Sequence, residues 1–156
     1  MISTITPYTY DHTSDLLDLF KASVHQIASK DYTAEQCNAW APEIIDLQEW
    51  HKSRAAQPTY VAIQENKPVG FTDLNASGYI HMFYVHPDYT RQGVASKLYR
   101  HILNIARTKN IPTLSANISI TAMPVFKKWG FEIAREQTVM RNGQSFTNYH
   151  MTQDIT

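Results

Sequence analysis

The sequence is poor in the residues that staple or anchor a chain. It has a single cysteine, Cys37, in 156 residues, so no internal disulfide can form and a reducing, cytoplasmic setting is expected. It has no excess of charge: Lys plus Arg and Asp plus Glu are 14 each. That balance removes the bulk basic charge of a nucleic-acid or anionic-membrane binder, and neither partner is expected. No apolar run is long enough to span a bilayer, and Met1 to Pro7 has neither the basic flank nor the apolar stretch of a signal peptide. Linkers, repeats and low-complexity segments are missing, so residues 1–156 are expected to form a single domain with enough chain to bury a core. The seven histidines are scattered, with no pair at the i, i+4 spacing of a helical ligand set, and no metal is expected. Cys37 lacks an evident activating base and reads as a buried structural thiol. No G-x-S-x-G elbow is present to make a serine nucleophile.

What is there is periodic. Leu16, Leu19, Phe20, Val24 and Ile27 recur at spacings of three and four, predicting a helix that begins near Asp11. Thr33 with Gln36 has the form of a capping box and opens a short helix ending near Trp40. Asp46 and Glu49 repeat the signature before a helix from Leu47 to about Ala56. From Thr59 the period becomes extended: Tyr60–Ile63, Val69–Leu74 and Tyr79–Val85 read as three strands of an antiparallel meander. Val94, Leu98, Ile102 and Ile105 lay a long helix on that sheet. A strand over Thr113–Ile118 and a helix over Thr121–Trp129, with Gly130 as its C-terminal cap, come next. Asn142-Gly143 then joins two strands, Phe131–Met140 and Gln144–Met151, as a hairpin. The order predicts an α/β (α+β) domain with a mixed, mostly antiparallel sheet flanked by helices.

One stretch carries chemistry. Tyr79 to Val85 delivers the chain to a turn, and Gly93 sits where that turn becomes the long helix. Free N–H groups and the dipole at a helix N-terminus favour a bound anion, typically a phosphate. Taken alone, a glycine before a helix is equally an ordinary turn. The segment Thr90-Arg91-Gln92-Gly93-Val94-Ala95 resembles motif A of the GNAT (GCN5-related) N-acetyltransferases, Gln/Arg-x-x-Gly-x-Gly/Ala. Ala122 to Phe131 is similar to the family's later Ala-x-x-x-Tyr-x-x-x-Gly-Phe segment. In Ala39-Trp40-Ala41, Thr90 to Ser96 and Ser119 to Ala122 the chain resembles in particular the bacterial YafP-like acetyltransferases. The resemblance implies a GNAT fold and acetyl-CoA (coenzyme A) as co-substrate. It also implies that the amides of Arg91, Gln92, Gly93, Val94, Ala95 and Ser96 hold the pyrophosphate. The backbone of Phe83, Tyr84 and Val85 would hold the pantetheine arm and the acetyl carbonyl. Three positions depart from the pattern: Thr90 replaces Gln or Arg, Ser119 replaces an asparagine that touches pantetheine, and Phe126 replaces the tyrosine that protonates the departing thiolate. A phenyl ring donates no proton, so the expected acid is water or none.

The amine must lose a proton before it attacks, and an unperturbed imidazole titrates near about 6.5. His81, four residues before Val85, is read as that base, with an ordinary surface histidine as the competing reading. Asp73 is read as orienting His81 or binding the substrate ammonium, against a plainer expectation of a solvated strand end. Tyr79, on the same strand face as His81, is a candidate relay. His25, Tyr32, Trp40, Asn148 and Tyr149 are expected to line the acceptor site, and Trp50 to pack a helix on the sheet. The expected function is acetyl transfer from acetyl-CoA to the primary amine of a small molecule or peptide. The alternative is a catalytically weak acyl-CoA-binding or interaction module on the same fold. The resemblance is also compatible with a homodimer.

Overall fold

The computed structural model describes residues 3–156. A short strand β1 (Thr4–Pro7) leads through a 3-10 turn into α1 (Thr13–Gln26), then α2 (Ala34–Trp40) and α3 (Leu47–Ala55). Strands β2 (Thr59–Gln64), β3 (Lys67–Asp73), β4 (Tyr79–Ile80) and β5 (Phe83–Val85) follow. The chain continues through α4 (Val94–Thr108), β6 (Thr113–Ser119), α5 (Met123–Lys128), β7 (Glu132–Arg141) and β8 (Gln144–Asp154). The predicted caps form: Thr33 Oγ1 accepts from Gln36 N–H at 3.1 Å, Gln36 Oε1 accepts from Thr33 N–H at 2.8 Å, and Asp46 Oδ1 accepts from Glu49 N–H at 3.0 Å. Asn142 and Gly143 both take left-handed φ values (49° and 81°), as a two-residue hairpin turn with the twist of its strands requires.

The sheet corrects the expected meander. Tyr79–Val85 is not one strand: it breaks at His81–Met82. Its first half, β4, pairs parallel with β6, while its second half, β5, pairs antiparallel with β3. Two four-stranded sheets result, in the orders β1-β2-β3-β5 and β4-β6-β8-β7, with every other pairing antiparallel. The cause is Asp73, which is 0% exposed at the end of β3. Its Oδ1 accepts from the N–H groups of His81 (2.7 Å) and Met82 (3.2 Å), and its Oδ2 accepts from Gln57 Nε2 at 2.9 Å. A carboxylate thus satisfies the two donors that leave the ladder at the break. The expectation of a solvated strand end at Asp73 is overturned by that burial.

The core has three parts. Leu16, Leu19, Phe20 and Val24 of α1 pack on Val61 and Phe71 on one face of the first sheet. Val94 and Leu98 of α4 pack on Ala62 and Val69 on its other face. Ile102 and Ala106 continue into a cluster with Leu114, Phe126, Phe131 and Met151. Each such side chain contributes about 1.5–3 kcal/mol by leaving water. Helix α4 sits unusually close to β3 because of Gly70: a Cβ there would meet Val94 Cγ1 at 3.0 Å, Leu98 Cδ1 at 3.1 Å and Tyr84 O at 3.2 Å. That close approach fixes the N-terminus of α4 beside the end of β5. On the opposite side, α2 and the turn before it are clamped to the β7–β8 hairpin. Tyr32 Oη donates to Thr147 O (2.7 Å), Gln36 Nε2 to Ser145 O (2.8 Å) and Asn142 Nδ2 to Ala39 O (2.7 Å).

Candidate active site

At the strand break the two sheets part, and the backbone facing the gap follows from the ladder. His86 N–H donates to Val69 O at 2.8 Å, so alternation turns Tyr84 toward β3 and the N–H and C=O groups of Phe83 and Val85 away from it. Strand β5 has only β3 as a strand partner among the described residues, which leaves those outward groups free. Beyond β5, Gly93 caps α4 with φ +82°. Only glycine adopts that conformation without strain, and a Cβ there would meet nothing within 4 Å. The first N–H groups of a fifteen-residue helix therefore open onto uncrowded space, with exposed Arg91 and Gln92 at the rim. The Gln92 side chain is tied on both ends: its Oε1 accepts from Gln64 Nε2 and its Nε2 donates to Asp88 O, both at 3.3 Å. Val94 turns its side chain into the core, while Ala95 and Ser96 stay half-buried on the first turn. Outward β-backbone leading to a left-handed N-cap fits an extended arm that ends in a pyrophosphate.

On the other side of the break lies a cavity of about 600 Å³ whose wall includes Tyr79, His81, Tyr84, Ser119, Phe126 and Asn148. His81 presents an exposed side chain to it, while its backbone is held by Asp73. Asp73 therefore orients His81 through the main chain, with its own carboxylate enclosed. Burial raises the Asp73 pKa, opposed in turn by the His81 and Met82 hydrogen bonds and by the charges of His81 and Arg54. The rings of Tyr79 and His81 lie 6.4 Å apart. Tyr79 Oη accepts from Asn117 Nδ2 at 3.3 Å, and Asn117 Oδ1 lies 2.8 Å from His150 Nδ1. Burial, with a smaller push from Asp73, raises the Tyr79 pKa and keeps the phenol protonated.

The other expected residues divide. Tyr32 borders the cavity, but its hydroxyl is used structurally: besides its bond to Thr147 it accepts from Ile120 N–H at 3.0 Å. Trp40 also borders it, donating to Tyr84 Oη at 3.1 Å beneath the Arg141 guanidinium, whose Cζ is 4.4 Å from the indole centroid. Asn148 faces the cavity and Tyr149 does not. Strand alternation sends Tyr149 into the core cluster with Met151, correcting its placement at the acceptor site. His25 is also outside the wall: its Nε2 meets Ala41 O at 2.8 Å and ties α1 to the end of α2. Tyr84, grouped with the cofactor segment, borders the cavity and packs its ring against Phe20 and Phe71. Ser119 Oγ accepts from Ala122 N–H at 3.1 Å and so shapes the entry to α5. Phe126 is 3% exposed and packs edge-on against Phe83, Trp129 and Phe131. Cys37 is buried, with burial raising its thiol pKa.

Two features escaped the sequence reading. One is the switch of sheets at His81–Met82; the only available signal was an aspartate closing the neighbouring strand. The other is Arg54, 2% exposed in the cavity wall. Its signal was the i, i+4 spacing to Trp50, which puts both on the inward face of α3. Among the described residues no helix is long and apolar enough to cross a membrane, and no three His, Cys, Asp or Glu side chains gather as a metal set.

Comparison with known proteins agrees with this geometry. The acetyltransferase (GNAT) domain model matches residues 28–153. An uncharacterized N-acetyltransferase of Escherichia coli K12, YafP, is 38% identical over 136 residues, covering 87% of this chain and 85% of its own. A GCN5-related N-acetyltransferase structure from Rhodopseudomonas palustris superposes with a TM-score of 0.94 at 30% identity, over 99% of this chain and 96% of that one. At 15% identity, and so for the fold alone, a Salmonella typhimurium protein, yncA, solved with its cofactor acetyl-CoA, gives a TM-score of 0.73, over 100% of this chain and 95% of its own. With a sheet that parts beside the long helix's N-terminus, a family model spanning most of its length and a relative similar along most of both chains, this protein belongs to the GNAT acetyltransferases.

Proposed function

We propose that the protein transfers an acetyl group from acetyl-CoA to the primary amine of a small molecule or peptide by direct attack, with His81 as the base. The observation that carries this reading is the strand break. One opening exposes the outward backbone of Phe83 and Val85, leads to the Gly93 cap, and adjoins the cavity that His81 borders. The backbone of Phe83 and Val85 holds the pantetheine arm and the acetyl oxygen, and the amides from Arg91 to Ser96 hold the pyrophosphate. When bound, the thioester supplies an activated acetyl carbonyl. Backbone N–H groups fixed beside its oxygen stabilise the charge that develops there. His81 accepts a proton from the ammonium, directly or through water, and the freed amine then forms the C–N bond as the C–S bond breaks, its second proton passing to water. Tyr79 extends from that site through Asn117 to His150, and the buried Asp73 holds the His81 backbone in register. The thiolate takes its proton from water, since Phe126 has none to give. Acetyl-CoA bound to the similar Salmonella fold supports the choice of co-substrate.

Thiol release from acetyl-CoA over an amine panel tests the reading, with a protein-only blank for Cys37. Loss of a general base costs on the order of 10²–10⁴-fold. His81→Ala should lower the rate by about 100-fold near neutral pH and recover as the pH approaches the amine's own pKa. A pH–rate profile identical to that of the parent would remove His81 from this role. Tight CoA binding with no release on any amine would favour the binding-module alternative, which the phenyl ring at Phe126 supports.

A further inference from the structure

The floor of the acceptor cavity holds donors with nothing to donate to. Arg54 is 2% exposed, yet its Nε and Nη1 find no acceptor among the described residues, and the Trp50 indole Nε1 is equally unpartnered. The two side chains form one unit on α3, with the Arg54 Cζ 4.2 Å above the Trp50 ring. Arg54 borders both the large cavity and a shallower cleft beside Tyr8, Tyr10 and His51. Trp50, the ring on which the guanidinium stacks, borders only the large one. Leaving a buried donor unsatisfied is costly, and more so for a charged group. An arrangement of this kind is explained when a ligand completes it.

The surrounding charges do not complete it. Burial lowers the Arg54 pKa; Asp73 opposes that most strongly and favours the protonated guanidinium, but both of its oxygens are engaged by His81, Met82 and Gln57. No carboxylate lies within ion-pair distance of Arg54 among the described residues. Glu49, at the rim, reaches Lys52 at 3.4 Å. Arg141, over Trp40, adds a second positive charge to the wall, and His81 faces the same space. A planar guanidinium with free N–H groups matches a carboxylate, which it can bind with two parallel hydrogen bonds. A second orphan, Asn148 Oδ1, is a buried acceptor across the cavity and suits an amine N–H. We propose that the acceptor carries a carboxylate as well as its amine, that Arg54 and the Trp50 indole N–H bind the carboxylate, and that the acceptor class is therefore amino acids and related amino acids bearing a free acid. This rests on the acetyl-transfer reading for the word acceptor, but not for the carboxylate site itself.

The test begins with binding to the CoA-saturated protein, followed by calorimetry. The probes are N-acetylphenylalanine and N-acetylalanine, each against its carboxamide. The acid should bind at least tenfold more tightly than the amide in one pair or both. Arg54→Met should abolish that preference, Arg54→Lys should retain only a few-fold of it, and inorganic phosphate should not compete at equal concentration. Acid and amide within twofold of each other in both pairs would overturn the proposal. So would a preference that survives Arg54→Met, or one that disappears when CoA saturates the protein. Should Arg54→Met fail to fold, the acid–amide ratio of the parent protein still decides. Trp50→Phe, which keeps the ring and removes the N–H, should cut that ratio by about threefold or more. Thiol release with phenylalanine and with phenethylamine separates the two readings. Release with phenethylamine and none with phenylalanine would refute the carboxylate and leave acetyl transfer standing. A retained acid preference with no release on any amine would leave the site standing and remove the transfer.

Discussion

Asp73 offers the sharpest test, because its charge and its geometry make opposite demands. Replacing it with alanine strands two N–H groups, the part-buried one of His81 and the buried one of Met82, at about 1–3 kcal/mol each, and leaves a small void. The expected loss of about 3–5 kcal/mol is a large share of a typical domain's 5–15. Asparagine keeps an oxygen where Oδ1 stands. The folded-state pKa of Asp73 is raised, so burial outweighs the hydrogen bonds that favour the anion. The stability contributed by the protonated acid is fully present below the unfolded value, near about 3.9 for an aspartate, and is lost as pH rises through the folded value. A neutral isostere escapes that loss. Asp73→Asn should therefore match the parent within about 1 kcal/mol in acid and gain on it as the pH is raised to neutrality. Urea unfolding at a series of pH values measures both variants. An Asp73→Ala loss under about 1 kcal/mol would refute the account of the strand break. An Asn variant falling as far as the Ala variant would show that the charge, not the acceptor oxygen, holds it. Where Asp73→Ala still folds, loosening of the β5 edge should raise KM for acetyl-CoA.

Gly93→Ala forces a left-handed residue at the α4 cap, at a cost of about 1–2 kcal/mol. It should raise KM for acetyl-CoA with kcat little changed. Gly143→Ala, strained alike at φ +81° but in the hairpin turn, should lose similar stability with no change in KM, and equal effects on KM would argue against the cradle. Phe126→Tyr asks whether an acid is missing. With water serving the thiolate, kcat should stay within about threefold, and a tenfold rise would show that the departing thiolate benefits from a phenol.

The elements legible in the sequence were those with a strong local signature. Helix α4 was visible from its apolar stripe, α2 and α3 from their caps, and the last hairpin from Asn142-Gly143. Strand β1 was missed because four residues, Thr-Ile-Thr-Pro, present too little alternation and end in a proline; it forms only by pairing with β2. Tyr79 to Val85 read as one strand because, His81 apart, its residues are apolar or aromatic throughout. The break is imposed from outside by a carboxylate on β3 and leaves no mark in the local pattern. Alternation placed Asn148 and Tyr149 on opposite faces without saying which was which, until the register of β8 with β6 turned Asn148 inward. Arg54 was hidden for a different reason. A single arginine near the end of a polar helix reads as a dipole partner, and only tertiary packing reveals that its guanidinium lies in the cavity wall over Trp50.

The clamp between α2 and the hairpin has a consequence for the order in which the protein is made. Tyr32, Gln36 and Ala39 find their partners at Thr147, Ser145 and Asn142, more than a hundred residues further along the chain. Contacts of such separation form late, after the loop between them has been closed at an entropic cost. During synthesis the strand break and the α4 cap can assemble while the hairpin is still within the ribosome, but the cavity wall cannot. A nascent chain halted before Gln144 would own the Gly93 cap and an open, apolar trough lined by Trp40 and Trp50, a surface that invites chaperones until the hairpin arrives to close it.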